Sequence, residues 1–133
     1  MTKRILATMV LVIMLALSLT SCASLDSYKR NLGDDYETEL LTPGEIDDLA
    51  DSFDVDADDY GIADIMHAEE KDGGYYAYFI ECGSGSDAED LAKDIEDTVE
   101  IMDRFYSFKV KAEVDGKFVL VGNASVIDKA LDK

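Results

Sequence analysis

Two Asp-Gly turns constrain this chain more than any other feature. Lys71-Asp72-Gly73-Gly74 and Asp115-Gly116 each separate two runs of strand-forming residues. A glycine placed there supplies the positive φ that a tight β-hairpin requires. Ahead of the first turn, residues 61–70 carry Ile62, Ile65 and Met66, with Asp64 interrupting. Behind it, residues 75–82 place Tyr76, Tyr78, Ile80 and Cys82 on one face and Tyr75, Ala77 and Phe79 on the other. Apolar residues on both faces are the mark of a central strand. A turn centred near Gly73 pairs positions whose numbers sum to about 145 in an antiparallel register, which sets His67 opposite Tyr78. Around the second turn, Phe108, Val110, Ala112 and Val114 alternate with Ser107, Lys109, Lys111 and Glu113, and residues 117–122 return as the partner strand.

Helical signals fall between and around the hairpins. Thr42-Pro43-Gly44-Glu45 combines a capping box with proline at the first helical position, and Ile46, Leu49, Ala50 and Phe53 follow as one apolar stripe. Ser86 with Glu89 reads as a second capping box. It opens a helix of about five turns through Ala88, Leu91, Ala92, Ile95, Val99 and Met102. Asn123 is placed to cap a last helix carrying Val126, Ile127, Ala130 and Leu131. The expected fold is α+β. It has a four-stranded, mostly antiparallel sheet built from two β-hairpin-plus-helix units, with helices packed on one face and one short helix in front.

The N-terminus is of a different kind. Lys3 and Arg4 precede an apolar run from Ile5 to Leu19, broken only by Thr8 and Ser18, and Leu19-Thr20-Ser21-Cys22 follows. The run suits a signal peptide and is shorter than a comfortable membrane span. Leu19-Thr20-Ser21-Cys22 resembles the lipobox of bacterial lipoproteins. The resemblance implies cleavage between Ser21 and Cys22 and a diacylglyceryl thioether on Cys22. It further implies a protein held by lipid on the extracytoplasmic face of the cell membrane. Residues 1–21 are then a removed leader. Residues 22–35, which mix Ser, Asn, Gly and charge without periodicity, read as a flexible tether, and 36–133 as a single domain.

Loss of Lys3 and Arg4 with the leader takes the formal charge from −18 to −20. A domain so acidic repels nucleic acid and anionic membrane alike, stays soluble and is expected to be a monomer. With Cys22 consumed by lipid, Cys82 is the one thiol left, so the mature chain holds no internal disulfide. No cofactor motif is present.

From residue 42 to residue 131 the pattern resembles small lipid-anchored proteins of Gram-positive bacteria that carry a domain of unknown function. The likeness lies in the Tyr-, Phe- and Ile-rich strand, the long charged helix and the late hairpin KAEVDGKFVLVG of residues 111–122. It implies the same location and a similar fold, and no site residue comes with it.

Three groups of residues are candidates for chemistry. Asp54, Asp56, Asp58 and Asp59 invite a calcium-loop reading, but the spacing fails: from Asp54 the sixth position is Asp59, where glycine is needed, and the twelfth is Ile65, where glutamate is needed. Weak cation binding is what remains of it. His67 and Cys82 are the single histidine and the single remaining thiol, and a nucleophile pair would need them adjacent. The expected register argues against that. Tyr75, Tyr76 and Tyr78 cluster on one strand and would form a contact surface if their side of the sheet were left open. The leading expectation is therefore a non-enzymatic ligand- or protein-binding module at the cell envelope. An envelope hydrolase using carboxylates or Cys82 and His67 is the alternative, and weak divalent-cation binding a second one.

Overall fold

The computed structural model describes residues 24–133, so the leader with Ser21 and Cys22 lies outside the described residues. The turns at 71–74 and 115–116 produce the two expected hairpins. β2 (Asp64–Glu70) pairs with β3 (Tyr76–Glu81), and β4 (Val110–Asp115) with β5 (Phe118–Asn123). In the first, His67 does sit opposite Tyr78. The hairpins join through β3 and β5, which makes those two strands central.

The sheet has five strands where four were expected. β1 (Tyr36–Leu40) adds to β2, giving the order β1-β2-β3-β5-β4, antiparallel throughout. Tyr-Glu-Thr-Glu-Leu alternates with period two, but its glutamates leave it with little apolar signal, and an edge strand needs little.

Helices cover both faces, not one. α2 (Pro43–Ser52), α3 (Gly85–Asp94) and α4 (Glu96–Phe105) lie on the first face. There Phe53, Leu91, Ile95 and Val99 pack on Ile65, Ile80, Val119 and Val121. α1 (Leu25–Leu32) and α5 (Ala124–Ala130) lie on the second, where Tyr28, Leu32, Val126 and Ile127 pack on Met66, Phe79, Phe118 and Leu120. The reason is the composition of the central strands. Every residue of β5 is buried, and β3 alternates between two apolar faces, so a single layer of helices would leave one of them in water.

α1 replaces much of the expected tether. Ser24 and Ser27 cap it reciprocally, each side chain accepting the other's backbone N–H at 3.1 Å, and Gly33 ends it at φ 76°. Tyr28 is 2% exposed. Its ring lies 5.1 Å from that of Phe79 and edge-on at 5.4 Å to Phe118, and its hydroxyl donates to Asp115 at 2.6 Å. Asn31 donates to the carbonyl of Ala130 at 2.7 Å. Two turns show too short a stripe (Leu25, Tyr28, Leu32) to stand out against the polar residues between. The packed unit accordingly begins at Leu25 and not at residue 36.

Two further differences are local. The expected long helix is two, because Ile95 leaves helical geometry at φ −98° and ψ 0° while staying fully buried. Its cap is Ser84, which accepts the N–H of Asp87, two residues ahead of the expected Ser86. Between the central strands, Gly122 has φ 145°, and a Cβ there would fall 2.5 Å from the Tyr76 carbonyl oxygen. β3 and β5 can come this close only around a glycine.

Tyr28→Ala should lower the unfolding free energy by about 3–5 kcal/mol and Tyr28→Phe by about 1 kcal/mol, read from urea titrations. A chain beginning at residue 36 should lose its cooperative transition. The hydroxyls of two tyrosines add a pH dependence. Burial and then the Asp115 bond raise Tyr28 above the usual phenol range, and the bond to Asp94 raises Tyr60 to about 12. Groups raised in the folded state stabilise it fully below their unfolded value, about 10, and lose that contribution as pH rises through the folded value. The melting temperature should therefore fall between pH 10 and 12, less steeply in Tyr60→Phe.

Candidate functional site

Antiparallel register fixes which side chains meet on the first face of the sheet. Residues directly opposite one another point the same way. Glu37, Glu69 and Tyr76 thus form one row across β1, β2 and β3, and Glu39, His67 and Tyr78 the next. The following row, Ile65 and Ile80, is roofed by Leu49 and Ala50 of α2 and by Phe53 at its C-terminal cap. α4 packs over β4 at the far side. The first two rows lie between these helices: Tyr78 borders α2, while Glu37, Glu39 and Glu69 are exposed.

The surface so left is aromatic and acidic. The His67 ring lies 5.1 Å from that of Tyr78 and 5.5 Å from that of Tyr76, and Tyr76 meets Tyr78 edge-on at 5.8 Å. Beyond Tyr76, the segment after α4 contributes Tyr106 and Phe108, 5.2 Å apart, and Tyr75 closes on Phe108 at 5.3 Å. Tyr106 stands close enough to add to the upward shift of the Tyr76 phenol. Tyr76, Tyr78 and His67 are half-buried, whereas Tyr75 and Tyr106 are 40% and 42% exposed. Two depressions flank the rings. One, of about 400 Å³, is lined by Glu37, Thr38, Glu39, His67 and Glu69; the other, of about 320 Å³, by Leu41, Glu45, Asp48, Leu49, Ser52 and Tyr78.

Burial raises the phenols of Tyr76 and Tyr78 above their usual range, and the Glu69 carboxylate adds to the shift in both. Both hydroxyls therefore stay protonated and neutral at physiological pH. Tyr76 is further held from below. Asn123, 2% exposed, accepts the Tyr76 backbone N–H through Oδ1 at 2.7 Å. Sequence reasoning had Asn123 as a helix cap, but its side chain makes no cap bond to α5 and is spent on β3 instead.

The sequence candidates fare differently. Tyr75, Tyr76 and Tyr78 are brought to one surface, although Tyr75 precedes β3 and turns towards Phe108, away from the side that strict alternation gives it. His67 joins them. Glu37, Glu39, Glu69, Tyr106 and Phe108 were missed as site residues; the alternation of Tyr36-Glu37-Thr38-Glu39-Leu40 was the readable signal for the first two. Cys82 and His67 are not brought together. His67 pairs with Tyr78, four residues from Cys82 and so roughly 13 Å along the strand. Cys82 is 2% exposed among apolar neighbours. Nor do Asp54, Asp56, Asp58 and Asp59 converge as a cation loop. Asp56 instead accepts the N–H of Asp58 to open a short 3-10 turn, and among the described residues no cluster of three or more His, Cys, Asp or Glu is placed to hold a metal.

No family model matches the chain, and neither the curated proteins nor the solved structures include a match to it.

Burial, with Asp87 and Glu81 nearby, pushes the Cys82 thiol up to about 11. At pH 8 the thiolate is then on the order of a thousandth of the population, and it is shielded as well. Iodoacetamide should modify Cys82 at least about 100-fold more slowly in the folded chain than in guanidinium, read by mass spectrometry.

Proposed function

We propose that this chain is a lipid-anchored extracytoplasmic binding module without catalytic activity of its own. In this reading Cys22 carries the lipid, and the open aromatic rows of the sheet receive a partner at the cell envelope. The observation that carries it is the gap between α2 and α4. Between those helices Tyr76, Tyr78 and His67 are only half-buried, and rings held on a rigid strand give contact area at little cost in side-chain entropy. The separation of Cys82 from His67 removes the support for a cysteine hydrolase.

The distance between anchor and domain favours the same role. α1 begins at Leu25, three residues after Cys22, so the link spans about 10 Å at most. A module attached so closely works beside the membrane surface and cannot sweep far from it. No helix among the described residues is long and apolar enough to cross a membrane. The two chains of a diacylglyceryl group suffice for stable anchoring.

Labelled palmitate should enter the wild-type chain in cells and not Cys22→Ala; equal labelling of both would reject the anchor. A photo-crosslinking amino acid at position 75 should give a discrete adduct in the same cells. The same group at Ser125, exposed on α5, should give none. Identical patterns from the two positions would reject this face as the binding surface.

A further inference from the structure

We infer that the partner of this face is an extended basic segment, whose alternate Lys or Arg side chains lie on the Tyr76 and Tyr78 rings between the glutamates. The inference rests on the binding-module reading and supplies its partner chemistry.

Charge is the first argument. Glu37, Glu39 and Glu69 stand on the open rows, and Glu45 and Asp48 overlook Tyr78 from α2. No Lys or Arg lines either depression. The ion pairs Lys111 with Glu113 and Asp128, Lys117 with Glu81, and Lys133 with Glu113 involve none of these five, and of the five Glu45 is engaged in the capping box, accepting the Thr42 N–H at 2.9 Å. An acidic or phosphorylated partner would be repelled here, and a purely apolar one would leave the carboxylates desolvated.

The rings are the second argument. Tyrosine faces attract a cation, most of all when its stem packs on the ring and its head reaches a carboxylate. Each row offers that pair: Tyr76 with Glu69, and Tyr78 with Glu39 beyond His67. The Glu69 carboxylate is close enough to both rings to raise both phenols.

Spacing is the third. The rows are two residues apart along the strand, roughly 7 Å, and an extended peptide repeats its side chains on one side at the same interval. A segment lying along β2 and β3 therefore presents residues i and i+2 to the two rows. The favoured sequence is Lys-X-Lys or Arg-X-Arg, and a contiguous basic run uses the site less well.

The test uses the full-length protein in neutral detergent, with fluorescein-labelled, amidated hexapeptides read by anisotropy. Alternating Lys-Ser-Lys-Ser-Lys-Ser should bind about fivefold or more tighter than its isomer Lys-Lys-Lys-Ser-Ser-Ser, the factor expected of one well-placed cation–π contact. Glu69→Gln, an exposed change that leaves the fold alone, should weaken the alternating peptide severalfold. Tyr78→Leu should weaken it about tenfold, and Tyr78→Phe should retain it, since the ring and not the hydroxyl does the binding. Equal affinity for the two isomers, or indifference to both Glu69→Gln and Tyr78→Leu, would mean diffuse attraction to an acidic protein and would overturn the inference. Displacement of the peptide by equimolar CaCl₂ would assign the face to a divalent cation and overturn it too. A crosslinked partner from position 75 lacking a basic extended segment would defeat this inference and leave the binding module standing. Peptide binding without any cellular adduct would defeat the binding module instead.

Discussion

Two central strands, each with apolar residues on both faces, govern the architecture. β3 and β5 lie side by side at the middle of the sheet, so close at Gly122 that no side chain fits between them; β5 is buried throughout, and β3 reaches water only through the half-buried Tyr76, Tyr78 and Glu81. Burying a single large apolar side chain contributes about 1.5–3 kcal/mol, and Phe79, Phe118, Ile80, Leu120, Val119 and Val121 divide between the two sides. Cover on both faces is therefore a requirement of the chain. α2, α3 and α4 meet it on one side; α1 and α5, short as they are, meet it on the other.

The same demand explains what could be read in advance. Turn chemistry and period-two alternation place both hairpins, the pairing of His67 with Tyr78 and the capping box at Thr42 and Glu45, because each depends on residues close in sequence. The number of layers depends on comparing β3 with β5, which are far apart in the chain, and so helices on one face were expected. α1 was missed because eight residues carry only three apolar positions, and their significance lies in Phe79 and Phe118 more than in the helix itself. β1 was missed because an edge strand with outward glutamates has little to announce it.

The candidate surface divides along the same line. The tyrosines were visible as a cluster, since they are adjacent in sequence. Their setting was not. Glu37 and Glu39 arrive through β1, Glu69 and His67 through β2, and Tyr106 and Phe108 from the segment that follows α4. Acidity spread over the whole chain also hid which carboxylates matter. Position on an uncovered part of the sheet, and absence from the ion pairs that tie β4 to α5, set Glu37, Glu39 and Glu69 apart from the rest.

The contact between α1 and α5 joins the first and last helices of the described chain, through Asn31 and the carbonyl of Ala130, with Tyr28 reaching Asp115 alongside. These bonds span 99 and 87 residues. Closing a loop of that length is entropically unfavourable until the elements between are in place, which makes such contacts late ones in folding. α1, the first helix of the described chain, cannot complete its packing until α5, the last, is in place. Until then Phe79 and Phe118 stay uncovered. The period of greatest exposure to aggregation and proteolysis thus ends only when the C-terminal helix arrives, and a truncation of a few residues there would prolong it for the whole molecule.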